Sequence, residues 1–249
     1  MNTFTGKVAL VTGGSSGIGR ATAIKFGELG ARVIVANRRE KEGKETVEMI
    51  KKVGGEAMFV QTDVRIASQV ENMVNQTVKK YGHLDIAFNN AGVGGIMARL
   101  IRMTEETFDD LVDTNFKGVW LSMKYEIPVM LEQGGGVIIN NASIAGVSTA
   151  ERLSVYSGSK HAVVAISNAA ATEYGRDNIR VVTICPGWIK TRMTEELRAR
   201  KDADAFQSSI PLKRWGEPEE VAEMVIWLAS DAASFVTGGA FIISGGMNV

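Results

Sequence analysis

Apolar residues in this chain fall into two kinds of stretch. Short unbroken runs stand at residues 7–11, 31–36, 57–61, 84–88, 137–140, 179–184 and 241–243. Between them, apolar positions recur every three or four residues among charged ones, as in 68–81, where Val70, Met73, Val74, Thr77 and Val78 share one helical face. The runs predict strands and the periodic stretches predict helices over 17–29, 40–53, 68–81, 111–131, 156–174 and 219–230. Gly30 and the pair Gly54-Gly55 stop the first two helices, Pro128 lies inside the fourth and should kink or shift its later turns, and Pro218 opens the last. Strands that are continuously apolar rather than alternating are buried on both faces. The prediction is therefore an α/β fold, doubly wound, with a seven-stranded parallel sheet and helices on both faces. Residues 188–212 mix charged and apolar positions without a strand partner and read as an inserted helical lid on one domain spanning 1–249.

Composition narrows the class. The 249 residues, 45% of them apolar, are enough for one large core, and 27 glycines without low-complexity runs suit many tight strand-to-helix turns. Lysine plus arginine balances aspartate plus glutamate at 28 each, so no bulk basic field draws nucleic acid or anionic lipid. No apolar run approaches membrane-spanning length, and the chain enters its first strand after six residues, which predicts no signal peptide and a cytoplasmic protein. Cys185, the single cysteine, lies in an apolar run and reads as a buried structural thiol. His83 and His161 are isolated and read as structural, and no cluster has metal-ligand spacing.

The chemistry is carried by turns and by one helix. Tyr156 and Lys160, four residues apart, stand one turn apart on one helix face. A free phenol titrates near ~10. A cation ~4 Å away at an effective dielectric of about 20 contributes ~4 kcal/mol, enough to move that value by roughly 3. Lys160 is therefore expected to bring Tyr156 into range for proton transfer. Upstream, Thr12-Gly13-Gly14-Ser15-Ser16-Gly17-Ile18-Gly19 follows a strand and opens a helix. Glycines there let the backbone approach a pyrophosphate, and the helix N-terminus offers free N–H groups.

Which dinucleotide binds is read from the end of the second strand, Ala36-Asn37-Arg38-Arg39. No carboxylate stands there to hold the ribose hydroxyls, and a guanidinium can take a 2′-phosphate. Arg38 is expected in that role, with Arg39 the solvated start of the next helix. NADP(H) is thus expected in preference to NAD(H), which stays possible. Asp63-Val64 and Asn89-Asn90-Ala91-Gly92 close the third and fourth strands at the edge where ligands bind such sheets, Asp63 suited to accept from an adenine amino group. Asn115 falls inside a predicted helix and Ser143 just past the fifth strand.

In order and spacing, residues 12–19, Asp63-Val64, 89–92, Asn115, Ser143, 156–160 and Pro186-Gly187 resemble the short-chain dehydrogenase/reductase family, in its single-domain branch with a YxxxK site. The resemblance covers essentially the whole chain. It implies a Rossmann fold and hydride transfer between a nicotinamide and a carbonyl or secondary alcohol. It assigns catalysis to Asn115, Ser143, Tyr156 and Lys160, and cofactor binding to Gly13, Ser15, Ser16, Gly17, Ile18, Gly19, Asn37, Arg38, Asp63, Val64, Asn90, Ala91, Gly92, Tyr156, Lys160, Pro186, Gly187, Ile189 and Thr191. Ser143 would hydrogen-bond the carbonyl, Tyr156 exchange the proton, Lys160 hold the ribose, and Asn115 hold a relay water through a backbone distortion. It also implies a homotetramer. One departure is Ser244 before Gly245-Gly246, where the family often has an acidic residue. A 3-oxoacyl-carrier-protein reductase, with Arg99, Arg102, Lys124 and Arg152 facing the carrier, and a non-catalytic dinucleotide sensor are the alternatives. The pocket walls are expected at 93–100, 144–153 and 188–210, where Trp188, Met193, Leu197 and Phe206 suit a hydrophobic substrate or simply seal the lid.

Overall fold

The computed structural model describes residues 4–149 and 151–247. Seven strands form one parallel sheet in the order β3-β2-β1-β4-β5-β6-β7. They are β1 (Val8–Thr12), β2 (Arg32–Asn37), β3 (Glu56–Gln61), β4 (Ile86–Asn89), β5 (Gly136–Asn141), β6 (Ile179–Pro186) and β7 (Ala240–Ile243). The expected doubly wound Rossmann architecture is what the chain adopts. The unbroken apolar runs have a direct cause: along β1, Val8 and Leu10 face one core layer while Ala9 and Val11 face the other. Helices α3 (Ala67–Tyr81), α5 (Gly118–Gln133) and α6 (Ser154–Tyr174) cover the first layer through Met73, Met123 and Val163. Helices α1 (Gly17–Glu28), α2 (Glu40–Lys52) and α9 (Pro218–Ala229) cover the second through Phe26, Ile50 and Val225. The strand order reverses between β1 and β4, which opens a crevice at their carboxyl ends.

The single helix expected over 111–131 is two. Helix α4 (Glu105–Val112) starts earlier, where the Thr104 hydroxyl accepts from the Thr107 amide at 3.2 Å. A π-helical segment, Asp113–Lys117, then joins it to α5. The extra backbone residue of that segment carries Asn115, which is fully buried. Helix α5 runs through Pro128 and ends only at Gly134, which is left-handed. β4 starts later than the apolar run does, because Gln133 takes both backbone groups of Leu84, at 3.0 and 2.7 Å.

The stretch 188–212 holds a short turn at Arg192–Thr194 and two small helices, α7 (Glu195–Arg198) and α8 (Ala203–Ser209). Trp188 contacts Phe206 and Trp215 edge-on, at 6.2 and 5.7 Å between ring centroids, so this aromatic row fixes the stretch to the body. Of its apolar residues only Met193 and Ile189 line the crevice. Among the described residues, no helix is long and apolar enough to cross a membrane, and no group of three or more His, Cys, Asp or Glu side chains is placed to hold a metal.

Candidate active site

The crevice at the β1/β4 reversal is a cleft of about 430 Å³. Into it point the turn after β1, the ends of β2, β3 and β4, the start of α6 and the turn after β6. Gly13 and Gly17 hold positive φ, at 67° and 52°, which a side chain would strain. Ser16 starts α1 without a side-chain cap, so the first-turn N–H groups stay open toward the cleft. These free donors, with the glycine cradle, fit a pyrophosphate.

Of the residues expected at the cofactor, Gly13, Ser15, Ser16, Gly17, Ile18, Asn37, Arg38, Asp63, Val64, Asn90, Ala91, Gly92, Tyr156, Lys160, Pro186, Gly187, Ile189 and Thr191 all line the cleft. Gly19 does not. A Cβ there would come within 2.4 Å of the Gly13 carbonyl oxygen, so its bare Cα lets α1 pack against the loop instead of touching a ligand.

The basic pair at the end of β2 divides its work differently from expectation. Arg39 turns inward, and its Nη2 donates to Ser15 Oγ at 2.7 Å and Ser16 Oγ at 3.0 Å. Arg38 lines the same cleft but is more exposed, its Nη1 4.0 Å from the Asp63 carboxylate. The sequence reading missed Arg39 because charge alone cannot tell which of two adjacent guanidiniums faces the glycine loop. Asn37 donates to the Arg39 carbonyl at 2.6 Å and braces the start of α2. The Asp63 carboxylate is already held by Arg65, at 3.0 Å from Nε and 2.7 Å from Nη2. Burial works to raise its pKa, but the bonds and charge of Arg65, with a contribution from Arg38, hold it below the ordinary carboxylate value.

At the other end of the cleft stand Ser143, Tyr156 and Lys160. Ser143 Oγ accepts from the Ala145 amide at 3.1 Å, which orients the hydroxyl, and it lines the same end of the cleft as the Tyr156 phenol. Lys160, 4% exposed, donates to the Asn141 carbonyl at 2.8 Å, and its Nζ lies 5.9 Å from the centre of the Tyr156 ring. Asn115 stands behind the cleft wall. Its side chain pairs with both backbone groups of Val93, at 2.8 and 2.9 Å, and donates to Ser159 Oγ at 3.3 Å. A Cβ on Gly92 would sit 3.1 Å from Asn115 Oδ1 and 3.5 Å from Lys160 Nζ, so that glycine keeps the two polar groups close.

The electrostatics correct one expectation. Burial pushes the Tyr156 phenol above its ordinary value, the Ser143 hydrogen bond opposing it, and burial pushes the Lys160 ammonium down to about 8. Each charged form is disfavoured by the same dry surroundings, and the ammonium bonds a carbonyl rather than the phenol. The lysine therefore does not lower Tyr156 in this structure. Cys185 is fully buried, its thiol pushed up to about 11 by burial, as befits a structural residue. His83 Nε2 sits 3.2 Å from the Gly6 carbonyl oxygen, and His161 Nδ1 sits 2.9 Å from that of Ser157.

Comparison with known proteins agrees with this geometry. A family model described as enoyl-(acyl carrier protein) reductase matches residues 13–248. The cyclohexanol dehydrogenase of Acinetobacter sp. (strain SE19) is 37% identical, over 98% of this chain and 96% of that protein. The 3-oxoacyl-(acyl-carrier-protein) reductase of Thermotoga maritima is 38% identical, over 97% and 98%. A solved structure of actinorhodin polyketide ketoreductase with NADPH, carrying one substitution, superposes with a TM-score of 0.94 at 36% identity, covering 98% of each chain. The chain belongs to the short-chain dehydrogenase/reductase family. It is an oxidoreductase of the kind that acts on alcohol or ketone substrates with a nicotinamide dinucleotide.

Proposed function

We propose that this enzyme transfers hydride between NADP(H) and a secondary alcohol or ketone, with catalysis by Ser143, Tyr156, Lys160 and Asn115. The observation that carries the reading is the shared cleft, lined by the glycine cradle at one end and by Ser143, Tyr156 and Lys160 at the other. In reduction, the Ser143 hydroxyl donates to the carbonyl oxygen and stabilises its growing charge. Tyr156 gives the proton, and in oxidation its phenolate takes one. The bound nicotinamide supplies or accepts the hydride. Lys160, fixed by the Asn141 carbonyl, is placed to hold the ribose, and the π-helical distortion at Asn115 supports the relay role expected of that residue.

The preference for NADP(H) rests on Arg39 and Arg38, with the NADPH-bound ketoreductase as a structural parallel. Residues 188–212 act as the substrate lid, Met193 facing the cleft and Trp188 seating the segment. Cyclic ketones are the first substrates to try, given the cyclohexanol dehydrogenase relative. Steady-state rates with NADPH and NADH and a ketone panel that includes cyclohexanone test the reading. NADPH is expected to give the higher kcat/KM, and Arg39→Ala to lower it about tenfold or more while leaving NADH nearly untouched. A clear NADH preference in the unsubstituted enzyme would sink the cofactor assignment.

A second reading, 3-oxoacyl-carrier-protein reductase, draws on the Thermotoga maritima relative and on one contact. The Ala98 amide donates to the Arg152 carbonyl at 3.0 Å, which brings the loop of Arg99 beside that of Arg152. Turnover of a 3-oxoacyl thioester on its carrier far above that of simple ketones would favour it.

A further inference from the structure

Glu126, midway along α5, has no solvent exposure. Its Oε2 accepts from Asn89 Nδ2 at 2.9 Å, and the same nitrogen donates to Asn140 Oδ1 at 3.0 Å. Asn140 Nδ2 in turn donates to Ser167 Oγ at 2.8 Å, and that hydroxyl donates to the Val163 carbonyl at 2.6 Å. Every donor in this buried chain is used. Two acceptors are not: Glu126 Oε1 and Asn89 Oδ1, both buried and both without a partner. They belong to the two side chains already joined by the Nδ2–Oε2 bond. An ionised carboxylate sealed from water with one N–H and no cation is strongly disfavoured, and a buried amide oxygen left bare adds to the cost. A single proton removes both defects.

We propose that Glu126 is held in the folded enzyme as a neutral carboxylic acid whose Oε1–H donates to Asn89 Oδ1, and that this pair positions the carboxyl ends of β4 and β5 beneath the active site. Asn89 is followed by Asn90, whose Nδ2 donates to the Thr12 carbonyl at 3.1 Å, next to the glycine loop. Asn140 is followed by Asn141, whose carbonyl holds Lys160 Nζ and whose Nδ2 donates to Asn90 Oδ1 at 2.9 Å. Glu126 thus acts through its neighbours, as a positioning residue, whatever the substrate.

The groups facing Glu126 are neutral: Asn89 from β4, Asn140 from β5, and behind it Ser167 from α6. Among the described residues no charged side chain on α3, α6, β4, β5 or β6 contributes to its titration. Burial raises its pKa from 4.5 to about 7, against the Asn89 bond. Because the folded value lies above the unfolded one, the stabilisation is complete below about pH 4.5 and is lost as pH rises through about 7.

Two measurements decide the protonation state. The infrared difference spectrum between the unsubstituted enzyme and E126Q at about pH 5.5 should contain a protonated-carboxyl C=O band that shifts in D2O. E126Q keeps a donor on one side and an acceptor on the other, so it should lose less melting temperature than the unsubstituted enzyme between about pH 5.5 and 8.5. Absence of the band, or equal pH dependence of the two proteins, overturns the neutral-acid assignment. For positioning, E126L should weaken NADPH binding roughly three- to tenfold with E126Q restoring it. NADPH affinity unchanged in E126L would overturn that part. If E126L does not fold, NADPH affinity in E126Q decides instead, a near-normal value supporting positioning by the hydrogen-bonded pair and a loss as large as tenfold overturning it.

Discussion

A phenol kept protonated by its surroundings is suited to giving a proton, and this fixes the pH behaviour expected of Tyr156. With its pKa above the ordinary value, the neutral form dominates through neutral pH. Ketone reduction should therefore be nearly flat through neutrality and fall at alkaline pH, whereas alcohol oxidation should rise as pH climbs toward the phenol's titration. Profiles of kcat/KM in both directions check this, and oxidation that is fastest in acid would refute it. Tyr156→Phe should lower kcat by about 10²–10⁴-fold while NADPH affinity stays near normal. The pair Tyr156 and Lys160 was legible in the sequence because spacing on a helix sets proximity. The sign of the shift was not, because it depends on how dry the site is and on Asn141, a residue from another strand. For the same reason Arg39 was read as a solvated helix start and Glu126 escaped notice: their partners lie 24 and 37 residues away, and only folding brings them together.

At the scale of elements, the strands were legible because each must feed apolar side chains to two layers at once. The helix boundaries were harder where local and tertiary signals compete. Between Glu105 and Gln133 the periodicity drifts, since the π-helical segment adds a residue and rotates the faces on either side of it. Thr104 before Glu105-Glu106 was the available sign of an earlier start. Gly19 makes the testable point about α1. Because its bare Cα permits close packing on the Gly13 carbonyl, Gly19→Ala must push the helix off the glycine loop. The loss should be about 1–3 kcal/mol of stability together with weaker dinucleotide binding. Denaturant unfolding and NADPH titration measure the two effects, and a variant that unfolds like the parent would show that α1 has slack at this point.

At the scale of the molecule, several large apolar side chains stand exposed, and two groups of them bear on assembly. On α4 and α5, Phe108, Trp120 and Leu131 are exposed, at 49%, 46% and 41%. On the far side, Phe235 is entirely exposed, and the neighbouring edge strand β7 carries Ile242 outward. An unpaired edge beside bare aromatic surface invites association. These are separate surfaces, one on the helical face over β4 and β5 and one at the β7 edge, so each can form its own two-fold contact. Two independent two-fold contacts would generate a tetramer with closed symmetry, and we propose that assembly for this enzyme. Light scattering of the purified enzyme at micromolar concentration should accordingly give about four chains per particle. Combining Phe235→Asp with Ile242→Lys should reduce it to dimers that keep the α4–α5 contact, while Trp120→Glu should act on the other contact. A parent enzyme that runs as a monomer would refute the assembly. Failure of both surface variants to change its size would place the contacts elsewhere.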